Sequence, residues 1–222
     1  ARDVPALFDD APHPKALGPV DTIPWLARQQ RLTFARCGVV DPLDLADYEA
    51  HGGLEGLRRA LDMAPADIVE AVVASGLRGR GGAGFPAGIK WRTVAATEAD
   101  RRYVVCNADE GDSGTFADRM LLEGDPFLLI EGMVIAGLAV GADKGLVYVR
   151  SEYPHACRKF ARALERARAA GLVGANVLGS DHRFDLELRI GAGAYICGEE
   201  TSLLESLEGK RGQIRPKPPL PA

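Results

Sequence analysis

A glycine-rich stretch with interspersed cations is the part of this sequence whose composition most clearly indicates chemistry. Residues 75–91 contain six glycines together with Arg78, Arg80, Lys90 and the aromatic Phe85. Ordering so many glycines costs chain entropy, which a fold tolerates where the backbone must approach something closely. Backbone N–H groups beside cations suit a phosphate, and an aromatic ring suits a flat heterocycle. The stretch predicts a nucleotide or flavin site, with a flexible surface loop as the alternative.

Residues 79–84 fit G-x-G-x-x-G literally, but they do not predict an ordinary Rossmann site. That fingerprint follows a strand, whereas residues 66–75 have the apolar periodicity of a helix. Two other segments fall where ligands bind on parallel sheets. Residues 107–114 follow a predicted strand, and residues 191–201 combine a strand end, a glycine turn and a helix start. The second context is suited to an anion on helix N–H groups.

The acidic side chains of these two segments need a different explanation, because carboxylates repel phosphate. They are Asp109, Glu110, Asp112, Glu199 and Glu200. We expect them to accept hydrogen bonds from ribityl or ribose hydroxyls or from an amide, while Arg80, Lys90 and Lys217 offset the phosphate charge. Three alternatives stay open: a solvated turn at residues 109–112, favourable placement of residues 199–200 in a first helical turn, and a divalent cation held by carboxylates. The residue types favour a nucleotide-like ligand and leave catalysis undecided.

The elements that must position these segments follow an alternating pattern from residue 103 onward. Predicted strands and helices cover, in turn, residues 103–106, 125–140, 146–150, 156–167, 184–190 and 201–207. Strands that alternate with helices predict a parallel sheet with right-handed crossovers. The expected fold class is therefore α/β, a Rossmann-like, mainly parallel sheet with flanking helices.

A small helical N-terminal region is predicted before the sheet. Asp41–Pro42 and Pro65 each begin a predicted helix, and Gly76 ends the second one. Leucines at residues 54–61 recur at helical spacing. Residues 30–35 are predicted to form a short strand.

The predicted organisation has three parts. Five prolines in residues 1–28 predict an extended arm lying on a partner or another domain. Residues 29–85 form the helical region that ends in the glycine-rich stretch, and residues 86–222 form the α/β domain. Because the proline-dense residues 215–222 show no closing element, we expect this domain to be truncated at its C-terminal end.

The composition and charge of the chain exclude several classes of function. The chain has 222 residues, 46% apolar and 26% charged, typical of a soluble globular protein with one large domain or two small ones. A net charge of −4 argues against a nucleic-acid partner, because proteins that bind nucleic acid are typically basic. Without an apolar run of about 18 residues or a signal-peptide pattern, the sequence predicts a cytoplasmic protein with no transmembrane segment. Cys37, Cys106, Cys157 and Cys197 form no C-x-x-C pair, so we expect reduced thiols and no zinc or iron–sulfur site in this chain; no residue is predicted as a metal ligand.

Three segments together resemble a known family. Residues 75–91, 106–114 and 191–205 are similar to the FMN- and NADH-binding (51 kDa-type) subunit of respiratory complex I. The same family includes the diaphorase subunits of NAD-reducing hydrogenases and of NAD-dependent, molybdenum- or tungsten-containing formate dehydrogenases. Residues 110–116 and 150–155 most resemble the beta subunit of the formate dehydrogenases.

The resemblance implies roles for individual residues. The positions matching the family's FMN site are Gly79, Arg80, Gly81, Gly82, Lys90, Asn107, Asp109, Glu110, Tyr195, Gly198, Glu199 and Glu200. NAD(H) would stack over the flavin, with its adenine on Phe85 and with Glu200, Asp112 and Lys217 on the NADH side. Glu200 and Asp112 are then the catalytic candidates, since they would align the nicotinamide. Asp112 departs from the glutamate frequent in complex I, and Thr93 stands where some relatives have a second aromatic.

The function implied by the resemblance is reversible hydride transfer between NADH and FMN, with electrons leaving singly through iron–sulfur clusters. The implied partners are a thioredoxin-like [2Fe–2S] subunit and an iron–sulfur/molybdopterin large subunit. The family's Asn-Asn-Val-Glu segment, ubiquitin-like domain and helical [4Fe–4S] domain are absent from this sequence. A non-catalytic nucleotide-binding scaffold is the alternative, and an enzyme that uses a divalent cation is the third candidate.

Overall fold

The computed structural model describes residue 13 and residues 15–218, and the chain divides into two compact units, residues 1–35 and 36–222. In the first unit, a 3-10 turn at Val20–Thr22 precedes helix α1 (Pro24–Ala27). The extended conformation predicted for residues 1–28 is therefore wrong for these two segments, where Pro24 starts a helix with its φ already set. Residues 1–12 and 14 of that predicted arm lie outside the described residues. The three predicted domain boundaries stay predictions.

The strand predicted at residues 30–35 is not formed; residues 32–35 form turns and bends. Leu32 is 91% exposed, so a strand here would bury little apolar surface.

Four helices open the second unit: α2 (Leu45–Ala50), α3 (Glu55–Leu61), α4 (Pro65–Ser75) and α5 (Ala87–Ala96). Helix α4 begins and ends as predicted, with Gly76 in the left-handed region after its last residue. Helix α2 starts later than predicted, because the Asp44 carboxylate, and not Asp41, accepts the first-turn N–H groups of Ala46 and Asp47. Helix α5 was not predicted, since its first residues belong to the glycine-rich stretch.

The α/β part contains strands β1 (Tyr103–Ala108), β2 (Lys144–Arg150) and β3 (Asp185–Gly191), with helices α6 (Ala117–Gly124), α7 (Pro126–Val140), α8 (Pro154–Ala169) and α9 (Glu200–Leu207). The described strands form one parallel sheet in the order β1-β2-β3. Helices α6 and α7 connect β1 to β2, and α8 connects β2 to β3. The predicted α/β fold with a parallel sheet is confirmed, although the sequence did not predict α6.

Close packing around α7 holds the sheet against the helices. Helix α7 is buried over most of its length, since it contacts α3, α4, α5, α6, α8 and the sheet. A Cβ at Gly137 would lie 2.4 Å from the Phe184 ring, and one at Gly145 would lie 2.9 Å from the same ring. These glycines let helix, strand and ring approach closely.

The strand register brings three chain segments to one edge of the sheet. Ala108 pairs with Val149, and Arg150 pairs with Gly191, so the carboxyl ends of β1, β2 and β3 lie side by side. Parallel sheets bind their ligands at this edge. The segments after β1 and β3 are the two acidic segments identified from the sequence.

Two of the cysteines, Cys157 and Cys197, are buried, and Cys37 and Cys106 are half-buried. Among the described residues, no helix has the length and apolar character needed to span a bilayer. The cytoplasmic location stays a prediction.

Candidate functional site

The glycine loop, residues 77–87, is a closed turn. Its base is held by two main-chain hydrogen bonds, in which Ala87 donates to Leu77 at 2.8 Å and Gly79 donates to Phe85 at 2.9 Å. Gly82 has φ +105°, a conformation that residues with a Cβ rarely adopt. The loop is therefore a specific structure that only glycine permits at its tip.

Two cavities adjoin the glycine loop, a larger one of about 680 Å³ and a smaller one of about 440 Å³. The predicted residues that line the larger cavity are Arg80, Gly81, Gly82, Asn107, Glu110, Asp112, Tyr195, Gly198 and Glu199. The smaller cavity adds Gly79, Phe85, Lys90 and Glu200, and Gly81, Asn107, Gly198 and Glu199 line both. Asp109 and Lys217, although described, line neither cavity. The glycine loop and the two acidic segments thus form the walls of two adjoining cavities that share four lining residues.

Glycine in the loop leaves room on the cavity side. A Cβ built at Gly81 or Gly82 would meet no atom of the described residues within 4 Å. Packing within the described protein therefore does not require glycine there. A side chain at either position would project into space that a ligand can use, which fits a backbone that approaches a bound group.

The two acidic segments are joined directly. The Asn107 side-chain amide donates to the Gly198 carbonyl at 2.9 Å, and the Tyr195 hydroxyl donates to Asp112 Oδ1 at 2.9 Å. A Cβ at Gly111 would lie 2.8 Å from the Tyr195 ring. The absence of a side chain at residue 111 lets this ring approach the chain after β1. This contact was not predicted from the sequence.

Asp109 lies beneath this junction, not in the cavity wall. It is 3% exposed, and its Oδ2 is 3.5 Å from the Cβ position of Gly198. Burial raises the pKa of the Asp109 carboxyl, and the nearby Arg150 guanidinium lowers it in part. Its place under both segments indicates a supporting position, whereas the resemblance predicted a cofactor contact.

Glu110 is held on both its side chain and its main chain. Its carboxylate accepts the N–H groups of Asp118 (2.8 Å) and Arg119 (3.1 Å), and so caps the first turn of α6. Its carbonyl accepts a hydrogen bond from Arg150 at 2.7 Å. Its φ is +38°, which is uncommon for a residue other than glycine.

Two lysine side chains pair with the carboxylates of Glu199 and Glu200 beside the smaller cavity. Lys217 Nζ donates to Glu200 Oε1 at 2.5 Å and to Glu199 Oε1 at 3.1 Å, and Lys90 Nζ lies 3.8 Å from Glu200 Oε2. The hydrogen bonds to Glu200 and then Glu199 raise the pKa of Lys217. Phe85 lies in the same wall and is 49% exposed. The wall thus combines an accessible aromatic ring with paired charges.

Glu199 caps α9. Its carboxylate accepts the N–H groups of Thr201 (2.9 Å) and Ser202 (3.0 Å), and the Thr201 hydroxyl as well. Burial alone would raise the pKa of Glu199, but these hydrogen bonds and the one from Lys217 lower it to about 2. Glu199 is therefore a fixed negative charge that lines both cavities. It also stabilises the start of α9, which is the alternative role considered for this residue from the sequence.

Sequence reasoning missed several wall residues of the larger cavity, among them Thr115, Ala117, Asp118 and Ile196. Asp118 stands out because burial, and then the Glu110 carboxylate, raise its pKa to about 6. The missing information was helix α6, whose first turn carries Asp118. In the smaller cavity, Trp91 is a second aromatic wall residue that was not predicted.

Comparison with known proteins identifies the family. Residues 72–222 match the family model described as the Nuo51 FMN-binding domain. This chain belongs to that family, as its sequence motifs predicted.

The curated relatives are components of redox complexes. The HndC subunit of the NADP-reducing hydrogenase of Solidesulfovibrio fructosivorans is 53% identical over 195 residues, which cover 88% of this chain and 40% of that protein. A subunit of the Escherichia coli (strain K12) NADH-quinone oxidoreductase is 47% identical, over 82% of this chain and 41% of that protein. The alpha subunit of the NAD-reducing hydrogenase HoxS of Cupriavidus necator is 48% identical, over 76% of this chain and 29% of that protein. The chain thus spans about two fifths or less of the length of these three relatives.

A solved structure shares the fold. The crystal structure of an NAD+-reducing [NiFe]-hydrogenase in the H2-reduced state contains a chain that aligns with a TM-score of 0.70 and 41% identity. The alignment covers 91% of this chain and 34% of that one.

Proposed function

We propose that this chain holds FMN in the two adjoining cavities and supports reversible hydride transfer between NAD(H) and that flavin. The observation that carries the proposal is the convergence of residues 79–90, 107–118 and 195–200 on the walls of two adjoining cavities. Cavities of this size are typical of cofactor sites. Relatives named as NADH- or NAD-linked enzymes support the nicotinamide half of the proposal.

In this proposal the residues act by position and charge. FMN, when bound, exchanges two electrons with a nicotinamide and single electrons with iron–sulfur clusters. A hydride needs no acid or base from the protein, so orientation and electrostatics are the protein's contribution. Arg80 and Lys90 supply positive charge near the glycine loop. Asp112, held by the Tyr195 hydroxyl, and Glu200, held by Lys217, orient the nicotinamide side.

The first experiment identifies the ligand. The purified protein is denatured, and the released small molecules are analysed by mass spectrometry. We expect the mass of FMN from a yellow preparation. Release of a different nucleotide would overturn the flavin assignment. FMN without NADH-dependent dye reduction would instead favour the non-catalytic scaffold.

The second experiment separates the nicotinamide side from the flavin side. We predict that Glu200→Ala lowers NADH-dependent dye reduction by about tenfold or more while most of the FMN is retained, because Glu200, held by Lys217, is assigned to the nicotinamide side. FMN content and steady-state NADH kinetics are measured on the same preparation. Glu165→Ala, an exposed change on α8 away from both cavities, is the matched control. Equal losses of flavin and turnover would contradict the assigned division of roles.

We further propose that the complete assembly is an NAD-dependent formate dehydrogenase, containing a thioredoxin-like [2Fe–2S] subunit and an iron–sulfur/molybdopterin large subunit. The support is the similarity of residues 110–116 and 150–155 to that enzyme's beta subunit. Complex I and NAD-reducing hydrogenase are the competing assemblies, and both kinds of enzyme are among the relatives. The intact complex, isolated through this chain, is assayed for NAD+ reduction by formate and by hydrogen. Activity with hydrogen alone would overturn the formate proposal.

A further inference from the structure

Arg150 is the last residue of β2 and lies at the sheet edge that carries the candidate site. Its side chain is 20% exposed and is fixed from three directions. One guanidinium nitrogen donates to the Glu110 carbonyl at 2.7 Å, and another donates to Glu152 Oε1 at 2.7 Å. The guanidinium carbon lies 5.1 Å from the centre of the Tyr153 ring. Arg150 does not itself line either cavity.

The group that Arg150 holds is a strained part of the cavity wall. Glu110 has φ +38°, and such a conformation persists in a residue with a Cβ only when its surroundings impose it. Two anchors impose it here: the first turn of α6 binds the carboxylate, and Arg150 binds the carbonyl. Glu110, Gly111 and Asp112 follow one another in the wall of the larger cavity.

The same wall segment supports a second group. Gly111 lies against the Tyr195 ring, and Asp112 accepts the Tyr195 hydroxyl. A displacement of the Glu110 main chain would therefore also move the contact between the segment after β1 and the segment after β3.

We propose that Arg150 is a positioning residue for the flavin site: by holding the Glu110 carbonyl, it fixes the wall formed by residues 110–112. This inference rests on the proposed function. Arginine suits the role because its planar guanidinium bonds the carbonyl and the Glu152 carboxylate at once, whereas lysine presents one ammonium group. The orienting Glu152 and the Tyr153 ring keep the guanidinium in place.

The test is FMN titration of the protein after its flavin has been removed. We expect Arg150→Gln to raise the FMN dissociation constant roughly tenfold, the effect of one charge-assisted hydrogen bond, and to change the visible circular dichroism of the bound flavin. Arg150→Lys should recover part of the affinity. Arg168→Gln is the matched control, since Arg168 also bonds a carboxylate, Asp185, and a main-chain carbonyl, that of Leu186, at the other end of β3.

The outcomes are distinguishable. Wild-type affinity and dichroism in Arg150→Gln would overturn the positioning role, as would equal changes in Arg168→Gln. If Arg150→Gln does not fold, Glu152→Ala removes the acceptor that orients the guanidinium; a weaker change in the same direction supports the role, and no change overturns it. Failure of the wild-type protein to bind FMN would instead refute the proposed function.

Discussion

Asp118 illustrates how burial changes the chemistry of a single carboxyl group in the cavity wall. Burial first, and then the Glu110 carboxylate, raise the pKa of Asp118 to about 6. Because this value lies above the ordinary aspartate range, the protonated form of Asp118 is more favourable in the folded protein than in the unfolded chain. The ionised form present at neutral pH therefore costs stability. This cost begins to shrink as the pH falls below about 6 and is lost below the ordinary aspartate pKa of about 4.

Asp118→Asn is expected to stabilise the protein at pH 7.5 by about 1–2 kcal/mol, a value reduced for solvent screening. The gain should shrink as the pH is lowered from about 6 to 4, because the wild-type carboxyl becomes protonated in the folded state over this range. Urea unfolding at pH 7.5 and pH 4.5 measures the difference. Asp67→Asn, in the exposed first turn of α4, is the control and should leave stability unchanged or slightly lower at pH 7.5. A gain of equal size at both pH values for Asp118→Asn would contradict the titration argument.

At the scale of elements, the α4–α5 crossing determines where the glycine loop begins and ends. The two helices flank the loop, and Gly88 is their contact point. A Cβ at Gly88 would lie 2.6 Å from Val73 Cγ2 and 2.7 Å from the Val73 backbone. Since backbone atoms cannot rotate away as a side chain can, the helices would have to separate. The position of α5 also fixes that of Lys90 in the smaller cavity.

Gly88→Ala is accordingly predicted to destabilise the protein by about 1–3 kcal/mol, although alanine is the better helix former. Gly132→Ala on α7 is the matched control, because its Cβ would meet no described atom within 4 Å. That change should stabilise the protein by about 0.5–1 kcal/mol. The change in stability of the two variants is measured by thermal unfolding. A stabilised Gly88→Ala variant would show that α4 and α5 are not in close contact at Gly88.

The elements that sequence reasoning found are those with a clear local pattern. Apolar periodicity and a terminal glycine define α4 and α8, and alternation defines β3. Helix α5 was missed because its contact residue Gly88 looks like part of a loop. Helix α6 was missed because it starts after Phe116, a residue with φ +52° and no side-chain cap, instead of a recognisable N-cap.

The candidate site also has a part that local sequence patterns predict and a part that they do not. Residue types and the strand-end rule were enough to predict that the segments after β1 and β3 would converge. The supporting contacts depend on distances across the fold that no local pattern encodes. Arg150, for example, lies 40 residues from Glu110 in sequence. Its position at the carboxyl end of β2 was the available signal, since this is the edge where parallel sheets bind ligands.

At the scale of the larger unit, one buried carboxylate joins the N-terminal helices to the α/β part. Glu131 on α7 is 8% exposed. Its oxygens accept the Tyr48 hydroxyl (2.5 Å) and the N–H groups of Leu54 (2.8 Å) and Leu57 (2.9 Å) at the start of α3. Arg36 lies over the same Tyr48 ring and bonds Asp125, the residue before α7. These contacts between residues far apart in sequence connect α2 and α3 to α7.

Glu131→Gln is therefore predicted to destabilise the second unit by about 1–3 kcal/mol, because one amide oxygen cannot replace two carboxylate oxygens for three buried donors. Tyr48→Phe should cost about 1 kcal/mol, and the double variant should cost less than the sum, since both changes remove the same hydrogen bond. Urea unfolding of the four proteins gives the coupling energy. Glu49→Gln, which breaks an exposed pair with Arg58 at 2.8 Å, is the control and should change stability by less than about 1 kcal/mol. Strict additivity of the Tyr48 and Glu131 changes would mean that this carboxylate does not join α2 to α7 through the Tyr48 hydroxyl.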